Sequence, residues 1–278
     1  MVKLFIIHIK IALLLFICAV PLANAQTQQS SLTNPQIEAF TYGEKLVYKV
    51  RYNLYFNLNV GKVTFEVNDK PVNINGMPTM HVKARGRTFG FYDPFFRVRD
   101  RYETYISPRQ KMKPLSFLRI VREGGYSKDI QLTFDHARQQ VQKVNLEKQK
   151  VKHFNIPSQT YDILSMLYAA RCFDYGRAKV GDEFYNNVFI GDTTYSVRTV
   201  FKGRDKVKTN AGKFRCIKLS PQPIAGDVFD EESHMVVWVT DDANRVPVRV
   251  ESDISVGAIR ADLDDYQGLK YRMDARLD

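Results

Sequence analysis

The acidic residue that stands out for chemistry is Asp100. Residues 96–102 alternate, with Arg97, Arg99 and Arg101 two apart on one strand face and Phe96, Val98, Asp100 and Tyr102 on the other. A carboxyl group on an otherwise apolar face needs a partner or a raised pKa. Arg171, on the one helix signalled by the sequence, is the expected partner if that helix packs there. The basic row has a second version in Lys202, Arg204, Lys206 and Lys208. Guanidinium forks match phosphate and carboxylate groups, so such a row suits an anionic head group. More often such a row is simply the solvated face of a half-buried sheet. Just before Arg97 come five rings in eight positions, Phe89, Phe91, Tyr92, Phe95 and Phe96, around Gly90 and Asp93-Pro94. Rings on an irregular connection suit a lid over a cavity or a contact patch, or fold back as ordinary core. These rings, with Arg97, Arg99, Arg101, Asp100 and Arg171, form the candidate ligand-binding set.

Chemistry beyond binding finds little support. Glycoside hydrolysis needs two carboxyl groups about 5–10 Å apart across a cleft, and Asp100 and Asp162 are the only acids to nominate for it. The histidines of the mature chain, His81, His136, His153 and His234, are scattered and not at metal-ligand spacing. HExxH, CxxC, GxSxG and P-loop patterns are absent. Asp230-Glu231-Glu232-Ser233-His234 holds triad residue types, but adjacency is not triad geometry. It reads as a polar loop, with weak calcium binding the alternative. The expectation is a non-enzyme without metal or cofactor. A carboxylate-dependent hydrolase acting on glycans or lipids is the least favoured reading.

The first 25 residues decide where this chemistry takes place. Lys3 and Lys10 precede the apolar run Ile11–Val20, and Ala23-Asn24-Ala25 places small residues at a cleavage site before Gln26, the pattern of a secretory signal peptide. The run is short for a membrane span of about 20 residues, so no transmembrane segment is expected in the mature chain. Lipoprotein anchoring through Cys18 is disfavoured, because Ile17 is bulky where a small residue is wanted. The expected location is the periplasm, where nucleic acid is not an expected partner. Net charge is +11 for the precursor and +9 once Lys3 and Lys10 are gone. A basic exported protein favours acidic neighbours such as phosphorylated lipid head groups. Cys172 and Cys216 remain after processing. The compartment permits a disulfide between them, and two buried thiols are the simpler picture.

The elements that must position these groups are strands. Residues 26–39 read as a flexible polar leader. From Phe40 the chain alternates: Leu46, Tyr48, Val50 and Tyr52 share a face, as do Val63, Phe65 and Val67. Turn residues recur at Asn75-Gly76, Gly124-Gly125, Asn210-Ala211-Gly212 and Asp241-Asp242. About a dozen strands on short connections predict an all-β fold, a large curved antiparallel sheet, half-barrel or barrel-like. One helix is expected near residues 160–173, capped from Ser158 or Thr160, with Asp162 in its first turn and Ile163, Leu164, Leu167, Tyr168 and Arg171 at helical spacing. It should pack on the concave face or plug one end. Residues 40–278 then form a single domain of two similar halves, split near 157–180. Ser107–Pro114 and Thr240–Pro247 echo each other in spacing, each ending in a proline that opens a returning strand.

Several stretches, in order, resemble the exported family known as domain of unknown function 3108. They are Gly43-Glu44-Lys45-Leu46-Val47-Tyr48, Val60-Gly61-Lys62-Val63, Asp100–Tyr105 leading to Pro114-Leu115, and Gly124-Gly125. Tyr161-Asp162-Ile163-Leu164-Ser165, Trp238-Val239-Thr240-Asp241 with Pro247-Val248, and Val256-Gly257 follow. The resemblance implies a periplasmic or envelope location, a mainly antiparallel β fold and no established activity. More loosely, the strand–turn–proline–strand units look like those of periplasmic lipoprotein carriers, whose curved sheet wraps a helix and an apolar cavity, although fold does not determine function. Two functions are weighed. One is an envelope protein holding an apolar or amphiphilic, lipid-like ligand, with the rings at 89–96 closing the cavity. The other is a structural or assembly partner of other envelope proteins through an edge strand or the basic face.

Overall fold

A computed structural model describes residues 38–53, 57–90, 93–94, 96–222, 234–254 and 257–278, the side chain of Asn57 aside. Residues 1–37, which hold the expected signal peptide and most of the expected leader, and Phe91, Tyr92, Phe95, Val256 and the acidic run 230–233 lie outside the described residues.

Strand alternation produces the architecture directly. The strands in chain order are β1 (Lys45–Asn53), β2 (Asn57–Val67), β3 (Val72–Ile74), β4 (Met77–Thr88), β5 (Arg99–Ser107), β6 (Lys113–Glu123), β7 (Tyr126–Asp135), β8 (Gln140–Asn145) and β9 (Lys150–Asn155). Then come β10 (Thr160–Tyr161), α1 (Ile163–Arg171), β11 (Glu183–Ile190), β12 (Thr193–Thr209), β13 (Gly212–Pro221), β14 (Met235–Thr240), β15 (Pro247–Asp253) and β16 (Ala258–Gln267). They form one large sheet that is not closed, in the order 10-11-12-13-14-15-16-1-2-4-5-6-7-8-9, with β3 attached to β4. Pairing is antiparallel throughout except for the two-residue parallel match of β10 with β11. The strands outnumber the dozen expected because short pieces such as β3 and β10 carry too few residues to show period two. The helix falls where it was expected.

Chain order and sheet order nearly coincide, with one consequence. β16 pairs with β1, which places the two ends of the domain in the middle of the sheet. The two free edges are β9 and β10, only a few residues apart in sequence. The sheet therefore curls into a barrel-like wall with a seam, and no backbone ladder crosses that seam among the described residues. Side chains bridge it instead. Lys143 and Lys152 reach Asp192, at the tip of the β11–β12 hairpin, at 2.5 and 2.7 Å. Phe154 packs on Phe189 with ring centroids 5.4 Å apart.

The concave face is the core. Tyr48, Val50, Val63, Val82, Ala84, Tyr102, Phe117, Val121, Ile130, Leu132, Phe184, Phe201 and Leu263 are all buried there with α1. Burying residues of this size stabilises by about 1.5–3 kcal/mol each. Curvature comes partly from the two echoed turns. The ladder register shifts between Tyr105 and Ile106 and, at the equivalent place in the echo, between Trp238 and Val239. In both cases the residue after the shift faces a proline of the partner strand, Pro114 or Pro247, which donates no N–H to the ladder. Two glycines permit close approach. A Cβ on Gly61 would meet the carbonyl oxygen of Arg87 at 2.7 Å, and one on Gly124, at φ +50°, would strike the Phe96 ring.

No helix among the described residues is long and apolar enough to cross a membrane.

Candidate functional site

The site is built around α1, which sits inside the curved sheet. The helix is capped by Asp162, two residues later than Thr160. Asp162 Oδ1 accepts from the backbone N–H groups of Leu164 and Ser165 at 2.8 and 2.9 Å, and the Ser165 side chain returns to the Asp162 N–H at 2.9 Å. Oδ2 accepts from Thr104 Oγ1 on β5 at 2.6 Å, which ties the start of the helix to the wall. Burial pushes this carboxyl up to about 6 against those hydrogen bonds. With its oxygens committed to the cap and to Thr104, Asp162 is an anchor.

The far end of the helix is fastened by Arg171. It is buried, with Nη1 and Nη2 on the two oxygens of Glu44 at 2.6 and 2.7 Å. Nη2 and Nε also donate to the carbonyl of Asn244 at 3.0 and 3.2 Å. The guanidinium lies 5.3 Å from the ring centroids of both Phe40 and Tyr168. Burial opposes its charge, but Glu44 more than compensates and the pKa moves upward. The expected pairing of Arg171 with Asp100 is therefore incorrect. The helix spans nine residues, about 13 Å, and it is the N-terminal end that meets β5.

Between these anchors one helix face is less completely covered than the rest. Leu164, Ser165, Met166, Tyr168 and Ala169 are buried, whereas Ile163, Leu167 and Ala170, at i, i+4 and i+7, are only partly covered. Two cavities flank that face. One, of about 70 Å³, lies against β11–β15 and is lined by Phe173, Phe184, Val188, Val197, Leu219 and neighbours. The other, of about 90 Å³, lies against β1, β2, β4, β5, β15 and β16, with Tyr48, Val63, Phe65, Tyr102 and Val250 in its wall. Their linings are almost wholly apolar. A third cavity, of about 40 Å³, shares Ile163 with both and contains Arg119, Lys128 and Lys143.

Asp100 faces inward, as the alternation implies. Its Oδ1 accepts from the Arg122 N–H at 2.9 Å, and its side chain is hydrogen-bonded to Glu123. Desolvation raises its pKa. The two carboxyl groups are neighbours on paired strands, not groups placed on opposite sides of a cleft as a glycosidase requires. Arg97, Arg99 and Arg101 project outward. Arg99 is bound to Asp93 at 2.8 Å and Arg101 to Glu103 at 3.2 Å, both at the solvent face. The second basic row is likewise exposed, with Arg204 on Asp241 at 3.0 Å. Among the described rings of the 89–96 cluster, Phe96 is buried against Gly124 and Phe89 is exposed. Neither lines the two apolar cavities. Cys172 and Cys216 are buried free thiols, not a disulfide. Cys172 lies at the C-terminus of α1 and Cys216 in the middle of β13, and burial pushes the Cys216 thiol up to about 12.

Sequence reasoning missed Glu44, Arg119, Lys128, Lys143 and Asp192. The signal for Arg119 was available, since Phe117, Arg119, Val121 and Glu123 alternate on one apolar face as Asp100 does on its own. Glu44 precedes its strand, where periodicity says nothing.

A strongly curved antiparallel sheet wrapped around one helix, with small apolar cavities beside that helix, defines a β-barrel-like class of protein. Within that class the chain belongs to the family described as Protein of unknown function (DUF3108), whose pattern matches residues 47–264. No curated protein matches the sequence. Among solved structures, a β-barrel-like protein of domain of unknown function DUF1849 from Brucella abortus superposes with a TM-score of 0.52 at 10% identity, over 82% of this chain and 99% of that one. A protein with YmcC-like fold from Bacteroides fragilis scores 0.32 at 10% identity, over 83% and 98%. One from Parabacteroides distasonis scores 0.30 at 13%, over 84% and 99%. The first of these likenesses supports the fold alone.

Proposed function

We propose that this is an exported, non-enzymatic envelope protein that holds the apolar part of an amphiphilic ligand between α1 and the sheet. The observation that carries the reading is the helix face Ile163–Leu167–Ala170, only partly covered and flanked by two apolar cavities. A protein interior ordinarily closes such space, because each unfilled void forfeits dispersion contacts. The signal-peptide pattern of residues 1–25 supports the location. The cavities have room for only a few heavy atoms, so a long chain enters when α1 shifts or the seam opens.

The test is mass spectrometry of the protein purified from its native envelope, followed by titration with a chain-length series of alkyl amphiphiles. A bound amphiphile, and affinity rising with chain length, are expected. An empty protein that binds no member of the series refutes the reading.

The free edge of β9 supports a second reading, an assembly partner of other envelope proteins. Its residues Lys150–His153 are all exposed, and an open edge is a template for strand addition. Reproducible crosslinks from β9 to one defined protein, with no small-molecule ligand, would favour it.

A further inference from the structure

The inner wall beside Ile163 carries a group of three cations. Strand register places them on neighbouring rungs of one face. Tyr102 pairs with Arg119 and Arg119 with Ile130, Leu132 pairs with Lys143, and Val121 pairs with Lys128. All three cations are partly buried and line the third cavity. Arg119 and Lys128 form no ion pair among the described residues; Arg119 Nε has no acceptor, the guanidinium lies 5.9 Å from the Tyr102 ring centroid, and its charge acts on Asp100. The Lys128 pKa is held down by burial and by the positive charges of Arg119 and Lys143, against the pull of Asp192 and Glu147. Like charges so placed repel, and they raise the local affinity for an anion.

We infer that the polar end of the ligand is a compact anion, a phosphate monoester or carboxylate, received by Arg119, Lys128 and Lys143 on the concave face. This assignment rests on the ligand reading proposed above and adds the chemical class of the head group. The cavity that holds the three cations adjoins both apolar cavities through Ile163, so an anion there has its alkyl chain directed along the partly covered helix face. Asp192 already plays part of the anion's role. Its carboxylate takes Lys143 at 2.5 Å and Lys152 at 2.7 Å, and Lys143 also donates to the Gly191 carbonyl at 2.8 Å. A ligand anion competes with Asp192 for Lys143 and so loosens the seam through which it enters. The outward arginine row is the poorer receptor, because Arg99 and Arg101 are solvated and already paired.

The experiment is calorimetric titration of the full mature chain with dodecyl phosphate, dodecanoate, dodecyl maltoside and inorganic phosphate, each below its micelle concentration. Lys128→Gln alone and Arg119→Gln/Lys128→Gln together are compared with an outer-face control, Arg97→Gln/Arg101→Gln. Lys128 lacks an ion pair to lose, so the single variant keeps the test usable if the double variant folds poorly. The expected result is at least about tenfold tighter binding of the anionic alkyl probes than of the neutral one. About tenfold should be lost for each inner cation removed, the scale of one charge-assisted hydrogen bond, with Lys128→Arg restoring affinity and the outer control unchanged. Equal binding of charged and neutral probes, or sensitivity only to the outer control, overturns the anion site and leaves the apolar cavity reading intact. Inorganic phosphate binding as tightly as dodecyl phosphate identifies a free-anion site and overturns the head-group assignment. Failure of every alkyl probe to bind overturns the proposed function itself.

Discussion

Arg171 and Lys128 are both cations on the inside of the same sheet, yet their surroundings differ in kind. Arg171 has a bidentate carboxylate, two backbone carbonyls and two aromatic faces. Lys128 has a cavity in front of it and the cations Arg119 and Lys143 for neighbours, with Asp192 and Glu147 acting on it more weakly and without an ion pair. A buried charge that is fully satisfied belongs to the fold. A half-buried charge held among like charges costs stability and is the natural place for a ligand. Charge on an inward face is therefore not informative until its partners are counted.

Substitution should separate the two regions sharply. Glu44→Gln leaves Arg171 buried without a counter-charge and should cost about 3–5 kcal/mol, read as a fall in the urea midpoint. Lys128→Met, which removes a repelled charge, should leave the midpoint unchanged or raise it. A large loss from Lys128→Met would mean that its region is structural too, and the contrast would collapse.

The next largest effect is a pH dependence at the capped end of the helix. The folded pKa of Asp162, about 6, lies above the ordinary carboxylate value, so the folded state holds this proton longer than the unfolded chain. Its favourable contribution is complete below about pH 4 and disappears as pH rises through about 6. Asp162→Asn removes the titration and should gain on the wild type across that window, by about 1.4 kcal/mol for each tenfold difference in proton affinity between the folded and unfolded chains. Asp100 shifts in the same direction, so the difference between the two proteins, not either curve alone, is the quantity to follow. A difference that does not change with pH would show the cap to be ionised throughout.

At the seam, Asp192→Asn should cost less than about 1 kcal/mol, because its ion pairs are partly exposed. Amide exchange in β8 and β9 should nevertheless accelerate, since side chains alone hold that edge. Unchanged exchange would show that Phe154 and Phe189 suffice to close the wall. The smallest effect concerns the thiols. Reducing agent should leave the melting temperature unaltered, and a thiol reagent should label Cys172 and Cys216 only after unfolding.

Much of the fold was legible in local pattern. Alternation at Leu46–Tyr52 and Val63–Val67 placed the inward faces correctly, because period two has only one buried phase in a one-sided sheet. The helix showed through Ile163–Arg171 spacing, although its cap is Asp162 and not Ser158 or Thr160. The inward turn of Asp100 and the outward turn of Arg97, Arg99 and Arg101 followed from the same rule. The site was much less legible. Its cations come from three strands, β6, β7 and β8, and meet only because successive hairpins bring those strands into register.

Sequence by itself determined which residues face inward, where α1 lies and that the strands are mainly antiparallel, since each depends on neighbours a few positions away. Tertiary structure alone decided that Arg171 belongs to Glu44 and not Asp100, that β9 and β10 leave a seam, and that Asp192 meets Lys143 and Lys152. Those outcomes depend on how far the sheet curls before its edges meet, a sum of twist and bulges over the whole chain that no local segment encodes.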